Sequence, residues 1–294
     1  MDLFLQQLAN GVALGAVYAM FAIGFGLVFA TMGILNVSHG TYATWGAIAA
    51  LALLERDVPF VGALVGGVLA AGAIGVVVDR LAFEPLRRRG VGMLGSIITS
   101  IGAWIILGDL AQEATDAQAR SFPSGSFPSG FVEVGGVRLG YPQLLNILVA
   151  AALVVGMHLV LTRTRLGGAI RAVGYDAAAA SLSGVNPRLI IALTALLAGG
   201  VAGLAGVLSA LSTNNVSFTM GEGLLLKGFA AVVVGGFGDV RGAALGGLII
   251  GVSEVLGAQY ISNDFRDAIT FGLLVLFLVA MPRGIIGERE VRRA

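Results

Sequence analysis

Two ionisable residues stand inside long apolar runs where charge is expensive: Lys227 in LLLKGFA and Glu254 in LIIGVSEVL. At the centre of a membrane each costs on the order of 2.5–3.5 kcal/mol, so such residues face a bundle interior or a cavity. Lys227 could pair with Glu254, pair with Glu222, or snorkel to an interface; the spacing does not choose among them. Asn36 and His39, in GILNVSHGTYATWGA, carry groups that either bond a solute or brace backbone freed where a helix breaks, and bracing is the preferred reading. Asn214, Asn215, Ser217 and Glu222 form a polar cluster between apolar runs, either the mouth of a solute path or a solvated loop. The glycine-rich GGFGDVRGAALGG around Asp239 and Arg241 has the look of a nucleotide loop, but no strand precedes it and both flanks are apolar segments. That rejects phosphate cradling and leaves a tight turn or a contact with another protein.

Other chemistries are closed off by what the sequence lacks. It has no cysteine, which removes disulfides, thiolate metal sites and thiol catalysis. Its two histidines, His39 and His158, are far apart in sequence, so no metal site is expected. Lys227 is the only lysine, so no GxxxxGK[ST] loop exists and any ATP energy must come from another polypeptide. The formal net charge of +1 argues against a nucleic-acid partner. An enzyme would need catalytic groups converging at one depth, and the composition offers few.

The elements that must hold these residues are membrane helices. Only 12% of residues are charged and 57% are hydrophobic, against about 25% charged in an ordinary soluble chain; the mean hydropathy is +0.92. The spacing predicts an all-α bundle with spans near 8–31, 41–54, 60–82, 92–111, 143–161, 188–211, 222–236, 243–258 and 267–281, eight to nine in all. Those at 41–54, 222–236 and 243–258 are short, as tilted, broken or re-entrant segments would be. The whole of 1–294 reads as one transmembrane domain. Gly11/Gly15, Gly62/Gly66, Gly199/Gly203 and Gly247/Gly251 have the spacing that lets helix backbones approach closely. No basic region precedes the first apolar run, which is therefore not read as a cleavable signal peptide.

Charge gives the orientation. Arg80, Arg87, Arg88, Arg89, Arg163, Arg165, Arg171, Arg188, Arg241, Arg283, Arg289, Arg292 and Arg293, 13 of the 18 Lys+Arg, fall on one side of this arrangement. The basic side is expected to be cytoplasmic, with the N-terminus outside and the C-terminus inside. The largest outside loop, 112–142, holds a tandem SFPSG, read as a solvated linker, and FVEVGGVRL, whose Gly135-Gly136 could turn a hairpin that rests on a partner.

One polar stretch interrupts the apolar pattern on the basic side, the segment 162–187 with sequence TRTRLGGAIRAVGYDAAAASLSGVNP. Gly167–Ser183 has helical composition, Gly184 sits where a C-cap glycine belongs, and Asn186-Pro187 reads as an N-cap followed by proline at the first helical position. A short cytoplasmic helix is predicted, with Ile170, Val173 and Ala177 on one face and Arg171 and Tyr175 on another. It lacks the bulky apolar face of a lipid-surface helix, so insertion into a cleft on another protein is preferred.

This stretch, GILNVSHGTYATWGA, FEPLRRRG, and LLLKGFAAVVVGGFGDVRGAALGGLIIGVSE with MPRGIIG together resemble the permeases of branched-chain amino acid ABC importers, in order and over nearly the whole chain. The resemblance is to the shorter of the two permeases. It implies a bacterial inner-membrane transport subunit working with a distinct second permease, two cytoplasmic ATPases that hold ATP and Mg, and a periplasmic solute-binding protein. This chain would bind no cofactor and catalyse nothing itself. The resemblance assigns ATPase coupling to Arg165, Gly168, Arg171, Ala172, Tyr175, Asp176, Ala180 and Gly184. The cargo would be a branched-chain amino acid or a related small polar solute, urea and short amides included. A passive channel for such solutes is the alternative from a different class, and it would work without an ATPase.

Overall fold

The computed structural model describes residues 2–281 and 284–286 of the chain. Of the arginines on the basic side, Arg283, Arg289, Arg292 and Arg293 lie outside the described residues. The protein is a helical membrane bundle. Among the described residues, six helical stretches are long and apolar enough to cross a bilayer: Leu3–Met32, Phe60–Arg88, Met93–Ala114, Tyr141–Arg163, Pro187–Thr213 and Val240–Tyr260. In chain order the helices are α1 (Asp2–Met32), α2 (His39–Leu54), α3 (Phe60–Val78), α4 (Glu84–Arg88), α5 (Met93–Ala114), α6 (Tyr141–Arg163), α7 (Arg165–Tyr175), α8 (Ala177–Leu182), α9 (Pro187–Thr213), α10 (Met220–Gly235), α11 (Val240–Tyr260) and α12 (Arg266–Ala280). A π-helical turn, Asp79–Phe83, joins α3 to α4.

Two of the three segments expected to be short are short: α2 and α10 have 16 residues each. The third expectation is corrected, because α11 runs for 21 residues and the other short helix is the 15-residue α12. A short 3-10 turn at Asn263–Phe265 leads directly into α12, so it begins at Arg266, within one residue of the expected start.

At the centre, α1 and α9 are wrapped by α2, α3, α10 and α11. Water gives no driving force between helices in lipid, so close packing of small residues supplies it. Gly11 and Gly15 of α1 face Gly247 and Gly251 of α11, so that two of the glycine pairs seen in the sequence meet each other. A Cβ added at Gly15 would lie 2.8 Å from the Leu248 Cα, which leaves no room for alanine. Gly199 and Gly203 do the same for α9 against Ala71 and Gly72 of α3 and Gly46 of α2. Gly62 and Gly66 do not form a crossing; they meet only the side chains of Val58 and Leu53.

The charges divide between the two ends of the bundle. One end gathers the close of α1, the α3–α4 junction, the close of α6, α7, α8 and the α10–α11 turn, with Arg80, Arg87, Arg88, Arg163, Arg165, Arg171, Arg188 and Arg241. There Glu84 joins Arg80 at 2.7 Å, Arg88 at 2.6 Å and Arg188 at 3.6 Å, which ties the end of α3 to the start of α9. Buried Asp79, in the π turn, holds Arg87 at 2.7 Å.

The opposite end carries the long loop. Its hairpin pairs β1 (Phe131–Val134) with β2 (Val137–Gly140), turned by Gly135 and Gly136 at φ +59° and +82°. The Gln6 side chain of α1 clasps β2, accepting from Arg138 N and donating to Arg138 O. The SFPSG SFPSG stretch is mostly exposed, as expected of a solvated linker, but it is anchored at two points: Phe122 is buried in the apolar cluster around α2, and Phe127 meets Phe60 edge-on. Two phenylalanines in a Pro/Ser/Gly stretch are enough to fasten it down.

Candidate functional site

Between α1 and α2 the chain does not simply cross the surface. His39, the first residue of α2, lies against Gly24 of α1, about 12 Å inside the Met32 end of that helix. The segment 34–38 therefore re-enters the bundle outside any regular helix, which lipid does not tolerate unless neighbours satisfy the backbone. Neighbours do so. The Val37 N–H donates to Ser100 Oγ of α5 at 3.1 Å, and the Ser100 hydroxyl also approaches Leu35 O at 3.3 Å. Asn36 Nδ2 donates to Tyr42 Oη at 3.1 Å while its Oδ1 accepts from Ser38 Oγ at 2.6 Å, closing a triangle with Ser38 and Tyr42. Ser38, Tyr42 and Ser100 were not among the residues singled out from the sequence. The polar spacing of NVSHGTY was the only signal for Ser38 and Tyr42, and Ser100, on α5, had none.

His39 is different. Its side chain is fully buried among Phe21, Phe25 and Tyr42, and neither ring nitrogen has a hydrogen-bond partner among the described residues. Next to it, α10 begins against α2: Gly221 N donates to Thr44 Oγ1 at 3.1 Å, and a Cβ on Gly40 would meet the Gly221 carbonyl at 2.6 Å. Two helices thus start within the bundle, side by side, beside an imidazole that is polar and unpartnered.

The two charges in apolar runs meet. Lys227 Nζ of α10 donates to Glu254 Oε1 of α11 at 2.6 Å, and Arg266 Nε at the start of α12 closes on the same oxygen. Asp267 Oδ1 lies 3.4 Å from Lys227 Nζ, so two cations and two carboxylates balance. The lysine ammonium also stands 5.7 Å from the centroid of the Tyr18 ring, within cation–π reach. Glu254 is wholly buried, and its Oε2 has no hydrogen-bond partner among the described residues. Glu222 is exposed and joins no ion pair among the described residues; it lines a small cleft of about 170 Å³ with Thr41, Thr44, Trp104 and Asp109. Asn214 caps α9 in the left-handed region (φ +47°) and its carbonyl accepts from Ser121 Oγ at 2.9 Å, which joins the long loop to the polar cluster. Asn215 is exposed beside it.

At the basic end, the single helix expected over Gly167–Ser183 is two helices. Asp176 adopts an extended backbone (φ −156°, ψ 105°), and its Oδ1 accepts from Ala178 N and Ala179 N, capping α8 and ending α7. Aspartate can hydrogen-bond the backbone ahead of it, and that competes with continuing the helix. Thr164 caps α7 through Gly167 N at 3.1 Å, Asn186 caps α9 through Leu189 N at 3.3 Å, Pro187 takes the first position of α9, and Gly184 is left-handed at φ +83°. α7 is more amphipathic than expected, with its apolar side on the bundle itself: Ile170 and Val173 are buried, and Gly174 abuts the backbone of Ala30. Arg165, Arg171, Ala172, Tyr175 and Asp176 are exposed, Gly168 is partly so, and Ala180 is buried. Ala177 is exposed on α8 and does not share the face of Ile170 and Val173. The Arg241 guanidinium donates to His158 Nε2 at 2.7 Å, a pairing across 83 residues that has no local signal in the sequence.

Comparison with known proteins follows the same lines. Residues 7–278 match the family described as branched-chain amino acid transport system / permease component. The chain is 35% identical to the high-affinity branched-chain amino acid transport system permease protein BraD of Pseudomonas aeruginosa, over 99% of this chain and 98% of that one. It is 33% identical to the corresponding LivH of Escherichia coli K12, covering 99% and 97%. It is 27% identical to a probable LivH of Methanocaldococcus jannaschii, covering 91% and 88%.

Proposed function

The chain belongs to the permease-component family of branched-chain amino acid transport systems, and from that premise we propose that it is the membrane-spanning permease subunit of an ATP-driven ABC importer, moving branched-chain amino acids into the cell. The observation that carries this is the match over residues 7–278, which reaches into every membrane element and spans the polar segment on the basic end. The protein sits in the bacterial inner membrane as a single domain over 1–294, with its basic end in the cytoplasm, its N-terminus and the 112–142 loop in the periplasm and its C-terminus inside. Nine helical segments, six long and three short, make up its membrane part. The placement of α7 beside Arg163 and Arg241 supports that orientation.

Energy reaches the chain from outside. The sequence has no phosphate-binding loop, so ATP and Mg are held by two partner ATPases, and the chain itself carries neither a cofactor nor a catalytic group. Exposed Arg165, Arg171, Ala172, Tyr175 and Asp176 on α7 and its break form the contact for an ATPase, with Gly168, Ala180 and Gly184 shaping it. A distinct second permease completes the pore, and a periplasmic binding protein delivers solute over the end that holds Asn214, Asn215 and Glu222. Within the chain, Asn36 braces the re-entrant turn, while His39 and the Lys227–Glu254 pair border the moving helix starts.

Reconstitution tests this. Liposomes holding the purified chain alone should not concentrate leucine, whereas liposomes with the second permease, ATPases and binding protein should do so only with ATP. Concentrative uptake by the chain alone, or equal uptake with and without ATP in the full assembly, would sink the importer reading and favour a channel.

A further inference from the structure

A cavity of about 720 Å³ lies at the basic end, between α1, α6, α7 and the α10–α11 turn. Its deep walls are apolar, formed by Ile23, Leu27, Leu161 and Val232. Ile23 lies about 13 Å along α1 from Met32, so the cavity reaches well inside the bilayer. Its rim is cationic. Arg171 lines the mouth, Arg241 adjoins it through the lining residue His158, and Arg163 and Arg165 stand at the same end. His158, a residue of the cavity wall, accepts from Arg241 through Nε2 at 2.7 Å, which holds the guanidinium beside the cavity and leaves its other N–H groups to donate. One carboxylate is present, Asp239, but its Oδ1 accepts from Arg241 N and so serves the start of α11.

An apolar shaft under a guanidinium rim, at the membrane surface, matches an amphiphile with an anionic head. Basic pockets between membrane helices on the cytoplasmic side bind acidic lipid head groups, and that leaflet is the one rich in them. A free anion would gain nothing from the apolar walls, and a zwitterionic head would gain little from two arginines. We infer that this cavity is a binding site for one anionic phospholipid, with its phosphate between Arg241 and Arg171 and the upper part of an acyl chain against Ile23, Leu27 and Val232. Because Gly174 and Ile170 of α7 form one wall, the lipid would stiffen the segment on which the ATPase contact rests. The inference rests on the membrane orientation proposed above.

The test uses bacterial membranes containing the full chain with its partner subunits and a photoactivatable phosphatidylglycerol. Labelled peptides should come from the stretches 158–175 and 232–243. Unlabelled phosphatidylglycerol should compete about fivefold better than phosphatidylcholine, as one or two arginine contacts to an anionic surface imply. Inorganic phosphate and glycerol phosphate should not compete. Arg241→Gln should cut labelling about fivefold, and Arg241→Lys should keep most of it. Ala30→Phe, from a side chain that opens into the cavity, should block labelling without touching a charge. Labelling spread over the lipid-facing α5 and α12, equal competition by phosphatidylcholine, competition by inorganic phosphate, or wild-type labelling of Ala30→Phe would each overturn the inference. Ser124→Cys in the same membranes separates the two levels of failure. If an impermeant reagent reaches it from outside while the cavity stays unlabelled, only the lipid site is wrong; if it reacts only after permeabilisation, the orientation itself is wrong.

Discussion

Glu254 is a wholly buried carboxylate whose cost is met by two cations. Removing one side of such a pair leaves an uncompensated charge, at about 3–5 kcal/mol, while replacing the pair with apolar residues of similar size is often neutral. Glu254→Leu is therefore expected to lower the thermal midpoint in detergent sharply. Lys227→Met with Glu254→Leu should recover much of the loss, since Arg266 is 40% exposed and can turn to solvent. Additive losses in the double variant would show that the two residues do not act as a pair. His39 gives the opposite sign. A buried ring with no partner carries a desolvation penalty of about 1–3 kcal/mol, so His39→Leu should hold or raise the thermal midpoint. If uptake by the assembled importer falls at the same time, the ring is kept for the transport cycle. A clear drop in midpoint would mean that His39 has a polar partner in the resting protein.

At the level of elements, the break at Asp176 decides what α7 and α8 can do. Asp176 ends one helix and caps the next, and losing such a cap costs about 1 kcal/mol. Asp176→Ala should therefore loosen α8 while the membrane helices stay intact, seen as faster amide exchange over Ala177–Leu182 alone. Arg171→Glu reverses an exposed charge, where an unmatched interfacial pair costs roughly 2–5 kcal/mol of association. Ala177→Trp adds bulk at an exposed position of α8. Both variants should accumulate like wild type and co-purify with the second permease, yet recover little ATPase and little uptake. Normal ATPase recovery in both would leave α7 as a strut of the bundle and nothing more.

For the whole molecule the decisive quantity is sidedness. Among the described residues, eight of the thirteen arginines that the sequence places on one side gather at one end, and the long loop lies at the other. Ser124, exposed on that loop, offers the readout: Ser124→Cys should react with an impermeant thiol reagent in intact cells, against a background with no native cysteine. Reaction only in broken cells would invert the proposed arrangement.

Much of this was legible in the chain because it rests on local physics. The long apolar runs, the Gly135-Gly136 hairpin and the caps at Gly184, Asn186 and Pro187 need only neighbours in sequence, and the hairpin and caps stand in the structure where the sequence puts them. The resemblance to a permease family was legible for the same reason, as ordered motifs along one chain. What the tertiary structure decided are the matters of distance. Lys227 pairs with Glu254 and not with Glu222, Arg266 joins them, and His158 meets Arg241 only because α6, α10, α11 and α12 converge. α2 starts inside the bundle because Ser100, far away on α5, satisfies the backbone that the break exposes. α7 turns its apolar side to protein rather than lipid because Ala30 and its neighbours lie beneath it. Periodicity and capping are fixed by residues within a few positions of each other. The partner of a buried polar group is fixed by whichever distant helix the packing of small residues brings within about 3 Å.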